Sequence, residues 1–198
     1  MSSDKELEGS ETENQSSADS DILQKLLENR TIFLFEYIDK PVSTKICSYL
    51  LFLDNKDKKK EIKLFINSSG GDMECFFAIY DMMQFISAPI KTICIGEASS
   101  SAAELLAAGT PGKRCAMPNA QIMIHGVQMP EISGSKDDVE REVARYNLLN
   151  DRSIKMFAEN TGKSIKQITN DIVRDKYLTA EQALEYGIID KILLPKKK

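Results

Sequence analysis

Short apolar segments of strand type alternate with segments of helical periodicity through the middle of the chain. Strands are predicted over residues 61–67, 90–96 and 121–125, and helices over 73–86 and 101–108. Alternation of this kind is typical of α/β proteins with parallel sheets, because a helix carries the chain back to the start of each new parallel strand. The sequence therefore predicts an α/β fold.

Further elements are predicted on both sides of this alternation. A strand over 31–35 and a helix over 41–53 precede it. A long polar helix over about 136–160 follows it, and Gly162 is placed to end that helix. Near the end of the chain, Thr179 and Gln182 form a capping box, Gly187 ends the capped helix and the segment IIDKILL is a last strand.

The two ends of the chain differ in composition from the rest. Residues 1–20 are rich in serine and acidic side chains and contain almost nothing apolar, so we expect a disordered acidic tail. Residues 195–198 form a short basic tail. The remaining residues, 21–194, are predicted to form one domain with its own core.

Composition narrows the possible functions. The net charge of −4 argues against a general nucleic-acid binder. The apolar segments are too short to cross a membrane, and the N-terminus does not resemble a secretory signal, so we expect a cytoplasmic protein. Four separated cysteines indicate reduced thiols. The chain has one histidine, His125, so no metal site is predicted and any imidazole chemistry must use this residue.

Three consecutive serines, residues 99–101, lie where the strand ending at Gly96 leads into an alanine-rich helix. A hydroxyl at a helix N-terminus lies near free N–H groups that stabilise developing negative charge, but it needs a base to become a nucleophile. A structural role is the alternative. Ser101 and Glu104 fit the S-x-x-E pattern of a capping box, in which a serine only holds the end of the helix.

Two other positions allow both a catalytic and a structural interpretation. The paired glycines of NSSGGD, residues 67–72, can direct a peptide N–H toward a ligand oxygen or simply form a tight turn. His125 ends a predicted strand, where α/β proteins often place chemistry, although a lone histidine there is more often structural. An acid to accompany it could come from any of 30 Asp and Glu residues, and spacing alone does not select one.

Taken together, four motifs resemble those of the proteolytic subunit of the Clp protease, and the resemblance covers residues 21–194. The family patterns are of the type INSPGG, GQAASMGAFLL, KRxxLPNSxxMIHQP and ERDxxLxAxEAxEYGLVD. In this chain they read INSSGG (66–71), GEASSSAAELL (96–106), KRCAMPNAQIMIHGV (113–127) and VRDKYLTAEQALEYGIID (173–190). All four occur in the family's order.

The resemblance implies a role for five residues. Ser100 corresponds to the family nucleophile, His125 to the general base and Asp175 to the acid that orients it. The backbone N–H groups of Gly71 and Ser101 correspond to the oxyanion hole. The implied activity is that of an ATP-dependent serine endopeptidase, without a metal or organic cofactor.

The resemblance also implies a fold and an assembly. The fold would be a crotonase-like spiral of ββα units with the helix at about 136–160 as a protruding handle. Seven-membered rings would stack in pairs around a closed chamber. Unfolded polypeptides would enter it from an AAA+ unfoldase ATPase, and Arg174 would lie at the contact between rings.

The chain departs from the family patterns at several positions. The substitutions are Lys63 at the ATPase-docking pocket, Ser69 before the glycines, Ala102 and Glu104 in the helix after the serines, and Val173 in place of the acid that pairs with Arg174. The family's axial-loop motif is absent from the N-terminal segment, and QMPEISGS replaces the glycine-rich strand after the histidine. These departures motivate a second hypothesis, a weakly active or inactive structural subunit of a ring mixed with a typical paralogue. A crotonase-like acyl-CoA enzyme is a third.

Overall fold

The computed structural model describes residues 21–195, which form seven helices and seven strands. The predicted acidic tail, and all of the basic tail except Pro195, lie outside the described residues. The helices are α1 (21–28), α2 (Lys40–Lys56), α3 (Met73–Phe85), α4 (Ser101–Ala107), α5 (Lys136–Thr161), α6 (Ile165–Asp171) and α7 (Ala180–Tyr186). The strands are β1 (Thr31–Leu34), β2 (Ile62–Ser68), β3 (Ile90–Ser99), β4 (Cys115–Ala116), β5 (Gln121–Ile124), β6 (Lys176–Thr179) and β7 (Lys191–Ile192).

The strands form one mixed sheet. Its order is β1-β2-β3-β4-β7, and β5 pairs with both β3 and β6. Every pairing is parallel except that of β5 with β6, which is antiparallel. The parallel pairings expected of an α/β fold are present, and the antiparallel strand β6 was not predicted. That strand was missed because its four residues end directly at the N-cap of α7, and no alternation of polar and apolar residues marks it.

Strand β3 is longer than predicted, and its two ends pair with different strands on the same side. Its first part pairs with β4, at Ile93 and Cys94, and its last residues, 97–99, pair with β5. Between these parts Gly96 has φ +76, and a Cβ there would approach Asn67 Oδ1 to 2.6 Å, so the strand bends at a position that requires glycine. The predicted end of the strand at Gly96 is thus a bend, and the chain leaves the sheet at Ser99.

Helix α4 lies in the centre of the molecule. All seven of its residues are buried, since the helix packs between the sheet, α3 and α5. The core around it is continuous and includes fully buried large side chains from both sides, among them Leu34, Ile66, Phe76 and Leu105. Burial of each such side chain contributes about 1.5–3 kcal/mol. The turn that precedes α4 is therefore held by a well-packed core.

The long helix α5 projects from this core. None of residues 136–148 is buried, and Leu149 is the first buried residue of the helix. The Ser135 hydroxyl caps its N-terminus and Gly162, with φ +72, ends it as predicted. The capping box of Thr179 and Gln182 is also confirmed. Across residues 21–195 no helix combines the length and apolar character needed to cross a bilayer.

Candidate active site

Ser100 occupies the sharp turn between β3 and α4. Its backbone has φ 57 and ψ −130, a conformation that costs a non-glycine residue about 1–3 kcal/mol. The turn is held by the Ser100 N–H, which donates to the Met123 carbonyl at 2.8 Å, and by Gly70, where a Cβ would meet the Ser100 Cβ at 2.8 Å. The result is a hydroxyl that projects from the corner of a rigid turn.

The predicted capping box of Ser101 and Glu104 is wrong. Ser100, not Ser101, is the N-cap of α4, and no side chain caps this helix. The Ser101 hydroxyl instead accepts a hydrogen bond from the Gly71 N–H at 2.9 Å, and the Glu104 carboxyl accepts one from the Ser153 hydroxyl at 2.8 Å. Both side chains face other elements because α4 is buried on all sides.

His125 follows β5 directly and faces Ser100. Its Nε2 lies 2.7 Å from the Ser100 Oγ, and only 13% of its side chain is exposed. The contact arises from the sheet, because β5 pairs with β3 in a register that places Met123 beside Ser99. Ser100 follows Ser99 by one residue and His125 follows Met123 by two, so both leave the sheet at the same edge.

Asp175 lies behind the imidazole. Its Oδ1 is 3.4 Å from the His125 Nδ1, and half of its side chain is exposed. The antiparallel pairing of β5 with β6 places Ile124 opposite Lys176, so the next residue of β5 and the preceding residue of β6 also lie opposite each other. The strand that the sequence did not predict is thus the one that positions this carboxylate.

Gln128 also reaches His125, and the sequence did not indicate it. Its Nε2 lies 3.1 Å from the His125 Nδ1, which is closer than the carboxylate oxygen of Asp175. The residue is exposed and lies in the loop between β5 and α5. No pattern in the sequence marks it, because its proximity to the ring depends on the path of an irregular loop.

Of the two N–H groups predicted to form the oxyanion hole, one already donates a hydrogen bond and the other does not. The Gly71 N–H is bonded to the Ser101 hydroxyl, whereas the Ser101 N–H has no acceptor among residues 21–195. Gly71 is packed against Ile38, where a Cβ would come within 2.2 Å of the carbonyl oxygen, so only glycine fits. The glycine turn lies close to the Ser100 turn, since a Cβ on Gly70 would come within 2.7 Å of the Ser99 carbonyl oxygen and 3.1 Å of the Ser101 nitrogen.

Glu104 is a buried acid directly beneath Ser100 and His125. It is one turn of α4 beyond Ser100 and only 9% exposed. Its Oε1 accepts the hydrogen bond from Ser153, while its Oε2 has no partner among the described residues. Burial raises the pKa of the Glu104 carboxyl to about 7, and the bond from Ser153 lowers it only in part.

A cleft of about 480 Å³ opens over Ser100 and His125. Its walls combine apolar and polar side chains from the glycine turn, the loop after β5 and α5; they include Tyr37, Met73, Glu74, Gln128, Met129 and Tyr146. Residues 21–195 contain no group of three or more His, Cys, Asp or Glu side chains arranged to bind a metal ion. Arg174 is exposed, one residue before Asp175, and forms no ion pair within the described part of the chain.

A serine hydroxyl bonded to an imidazole, at the edge of a mixed sheet in an α/β fold, is the arrangement found in serine hydrolases. A comparison with protein-family models shows to which family this chain belongs. The model for Clp protease matches residues 13–196, and the chain therefore belongs to the Clp protease family. The predicted family is confirmed, and the mixed sheet with seven helices is the predicted ClpP/crotonase-like fold. Membership places the chain among peptidases.

Proposed function

We propose that this chain is the proteolytic subunit of an ATP-dependent serine endopeptidase and cleaves unfolded polypeptides through Ser100, His125 and Asp175. The observation that carries the proposal is the 2.7 Å contact between the Ser100 Oγ and the His125 Nε2 at a strained turn. A hydroxyl is a weak nucleophile until a base accepts its proton, and this contact supplies the base.

The chemistry follows from the position of each group. Ser100 attacks the peptide carbonyl while His125 accepts its proton at Nε2 and then delivers that proton to the leaving amine. Asp175 favours the imidazole tautomer with the proton on Nδ1 and stabilises the imidazolium that forms. The N–H groups of Gly71 and Ser101 stabilise the negative charge on the carbonyl oxygen. For Gly71 this requires its bond to the Ser101 hydroxyl to open.

The proposal includes an assembly. Family membership supports stacked seven-membered rings, with α5 as the handle between them and Arg174 at the contact between rings. It also supports an AAA+ unfoldase ATPase as the partner that feeds in unfolded chains. A cytoplasmic location is part of the same proposal. We propose no metal or organic cofactor, no nucleic-acid partner and no membrane partner, since the chemistry needs none of them.

A second candidate is a weakly active or inactive structural subunit of a ring mixed with a typical paralogue. Two contacts favour it. The Gly71 N–H is occupied by the Ser101 hydroxyl, and the nearest group to the His125 Nδ1 is the Gln128 amide rather than the carboxylate. Both would have to rearrange before catalysis.

Labelling with a fluorophosphonate probe and hydrolysis of short fluorogenic peptides separate these candidates. We expect the purified chain to be labelled and to cleave peptides, and Ser100→Ala to abolish both. Ser99→Ala is the matched control, since the neighbouring hydroxyl bonds Glu97 and not His125. A chain that assembles with a paralogue but is never labelled would support the structural subunit instead. Acyl-CoA turnover that does not depend on Ser100 would contradict both candidates.

A further inference from the structure

The His125 Nδ1 has two polar neighbours that make opposite demands on it. The Gln128 Nε2, 3.1 Å away, is an amide donor and needs a lone pair on Nδ1. The Asp175 Oδ1, 3.4 Å away, is an acceptor and needs a proton there. A neutral imidazole carries a single N–H, so the two contacts cannot both be hydrogen bonds at the same time.

We propose that Gln128 is a positioning residue that holds resting His125 in the tautomer protonated at Nε2. In this state Nδ1 accepts from the Gln128 amide, and the Nε2–H donates to the Ser100 Oγ over the 2.7 Å contact. An Nε2 that already carries a proton cannot take one from the serine hydroxyl. The inference rests on the proposed function, and it describes a resting state of the same site.

The distances favour the amide over the carboxylate. A charge-assisted bond from a ring N–H to a carboxylate is usually about 2.7–2.9 Å, and the Asp175 contact is longer than this. Half of the Asp175 side chain faces solvent, which weakens its field at the ring. The amide contact lies within the normal range for a neutral hydrogen bond. One such bond is sufficient to shift a tautomer ratio about fivefold.

Activation then needs a proton to change places on the ring. The proton leaves Nε2 for solvent and another binds Nδ1, so the imidazole stays neutral and its free Nε2 lone pair faces Ser100. Gln128 permits this if its amide withdraws, or if a half-turn of the amide presents its oxygen to the new N–H. Gln128 lines the cleft beside Met129 and Pro130, so a polypeptide bound against this wall would displace it.

The single histidine makes the tautomer directly measurable. Protein labelled with ¹⁵N only at histidine has two ring nitrogens to observe, and their chemical shifts differ strongly between protonated and unprotonated nitrogen. At about pH 8.5 we expect the proton of the neutral ring in wild type to lie mainly on Nε2. Gln128→Met, which keeps the length but removes the donor, should move the proton to Nδ1. Because bound polypeptide displaces Gln128 before the chemical step, this variant should lower KM about fivefold with little change in kcat.

Gln128→Glu offers an acceptor in place of a donor and should also place the proton on Nδ1. Gln121→Met is the matched control, because Gln121 is an exposed glutamine of β5 and should leave the tautomer unchanged. A wild type with most of its neutral ring protonated at Nδ1 would overturn the inference, as would a Gln128→Met ring identical to wild type.

The tautomer readout is independent of proteolysis. It can be repeated on Ser100→Ala, whose cleavage is abolished under the proposed function. If the shifts behave as expected but no variant is labelled by the fluorophosphonate probe, the role of Gln128 in the resting state stands and the peptidase proposal fails. If the probe labels wild type and the shifts do not depend on residue 128, the peptidase proposal stands and the role of Gln128 fails.

Discussion

At the scale of single residues, Glu104 is the most unusual feature beneath the candidate site. A carboxyl that is 9% exposed, with one oxygen that has no partner among residues 21–195, is costly to ionise because burial removes the water that would solvate its charge. Burial raises its pKa from the ordinary value of 4.5 to about 7. The group is therefore protonated in the folded chain at mildly acidic pH, where it would be ionised in the unfolded chain.

This difference predicts how the free energy of unfolding depends on pH. A folded-state pKa of about 7 lies above the unfolded value of 4.5, so the folded state binds the proton more tightly between these values. Stability from this group is present below about pH 4.5 and is lost as the pH rises through 7. Since one pKa unit corresponds to about 1.4 kcal/mol, the loss approaches about 3 kcal/mol. Glu104→Gln should therefore gain about that much relative to wild type between pH 5 and pH 8.

Urea unfolding of both proteins at these two pH values measures the effect, because other titrating groups shift wild type and variant equally. Glu140→Gln on the exposed part of α5 provides the control and should show no such change. A difference between Glu104→Gln and wild type that stays constant from pH 5 to pH 8 would mean that Glu104 does not titrate in this range.

The candidate site shows which residues a sequence can and cannot identify. The family resemblance named Ser100, His125 and Asp175, and the structure brings all three within reach of one another. The residues alone could not select Asp175, because its position depends on an antiparallel strand with no pattern of its own. Gln128 could not be predicted at all, since its contact with the ring depends on the conformation of a loop.

At the scale of elements, Arg114 joins three parts of the chain behind the site. Its guanidinium makes two bonds to the Asp190 carboxylate, at 2.9 and 2.6 Å, and a third to the Asn160 carbonyl at the end of α5 at 2.6 Å. Arg114 precedes β4 and is only 9% exposed, and Asp190 precedes β7. The guanidinium also lowers the pKa of the Asp190 carboxyl. Through these bonds Arg114 connects the end of α5 to the far edge of the sheet.

Removal of one charge from this pair should be strongly destabilising. Asp190→Asn leaves the Arg114 guanidinium buried without a countercharge, and such a loss costs about 3 kcal/mol or more in a fully buried pair. Because the Asp190 side chain is 21% exposed, we expect about 2–3 kcal/mol here. Urea unfolding at pH 7 measures the change.

Glu185→Gln removes an exposed carboxylate from the adjacent helix α7 and serves as the control, with an expected change of less than about 0.5 kcal/mol. Equal stabilities for the two variants would mean that solvent compensates Arg114 and that the pair does not join the elements. Acid should weaken the pair, because the depressed pKa of Asp190 means that its contribution is lost as the pH falls through that value.

The elements that the sequence predicted well are those with strong local signals. Helix α7 has its capping box and Gly187, and α5 ends at Gly162. Strand β4 was missed and β7 is shorter than predicted, since each has only two residues and is defined by its partners rather than by its own composition. The division of β3 between two neighbours is likewise a tertiary property that no single segment contains.

At the scale of the whole molecule, several large apolar side chains of one chain face solvent. They include Leu148 on α5, 60% exposed, and Val173, 75% exposed, next to Arg174. Isolated apolar side chains are common on protein surfaces. An exposed leucine on a protruding helix is nevertheless what we expect if this helix packs against another subunit, which would bury the leucine. This supports the proposed stacking of rings through the handle helix and through residue 174.

The last prediction concerns the strength of that stacking. In the proposed assembly, Arg174 lies at the contact between rings, and Val173 replaces the acid that pairs with it in the family pattern. Val173→Glu should restore an ion pair at every repeat of the contact. An exposed pair contributes at most about 1 kcal/mol, but the repeats around a ring add, and salt screens all of them.

Native mass spectrometry and light scattering across a salt series test this directly. The proposed double ring holds fourteen copies of the 22.2 kDa chain, about 310 kDa, and a single ring has half that mass. As the salt concentration rises, we expect the double ring of wild type to dissociate into single rings before that of Val173→Glu does. Val173→Gln is the matched control, since it has a similar side chain without the charge and should behave as wild type does. If the Val173→Glu and Val173→Gln variants dissociate at the same salt concentration, Arg174 does not lie at the contact between rings. A wild type that stays monomeric at every salt concentration would contradict a homomeric ring altogether and favour assembly with a second type of subunit.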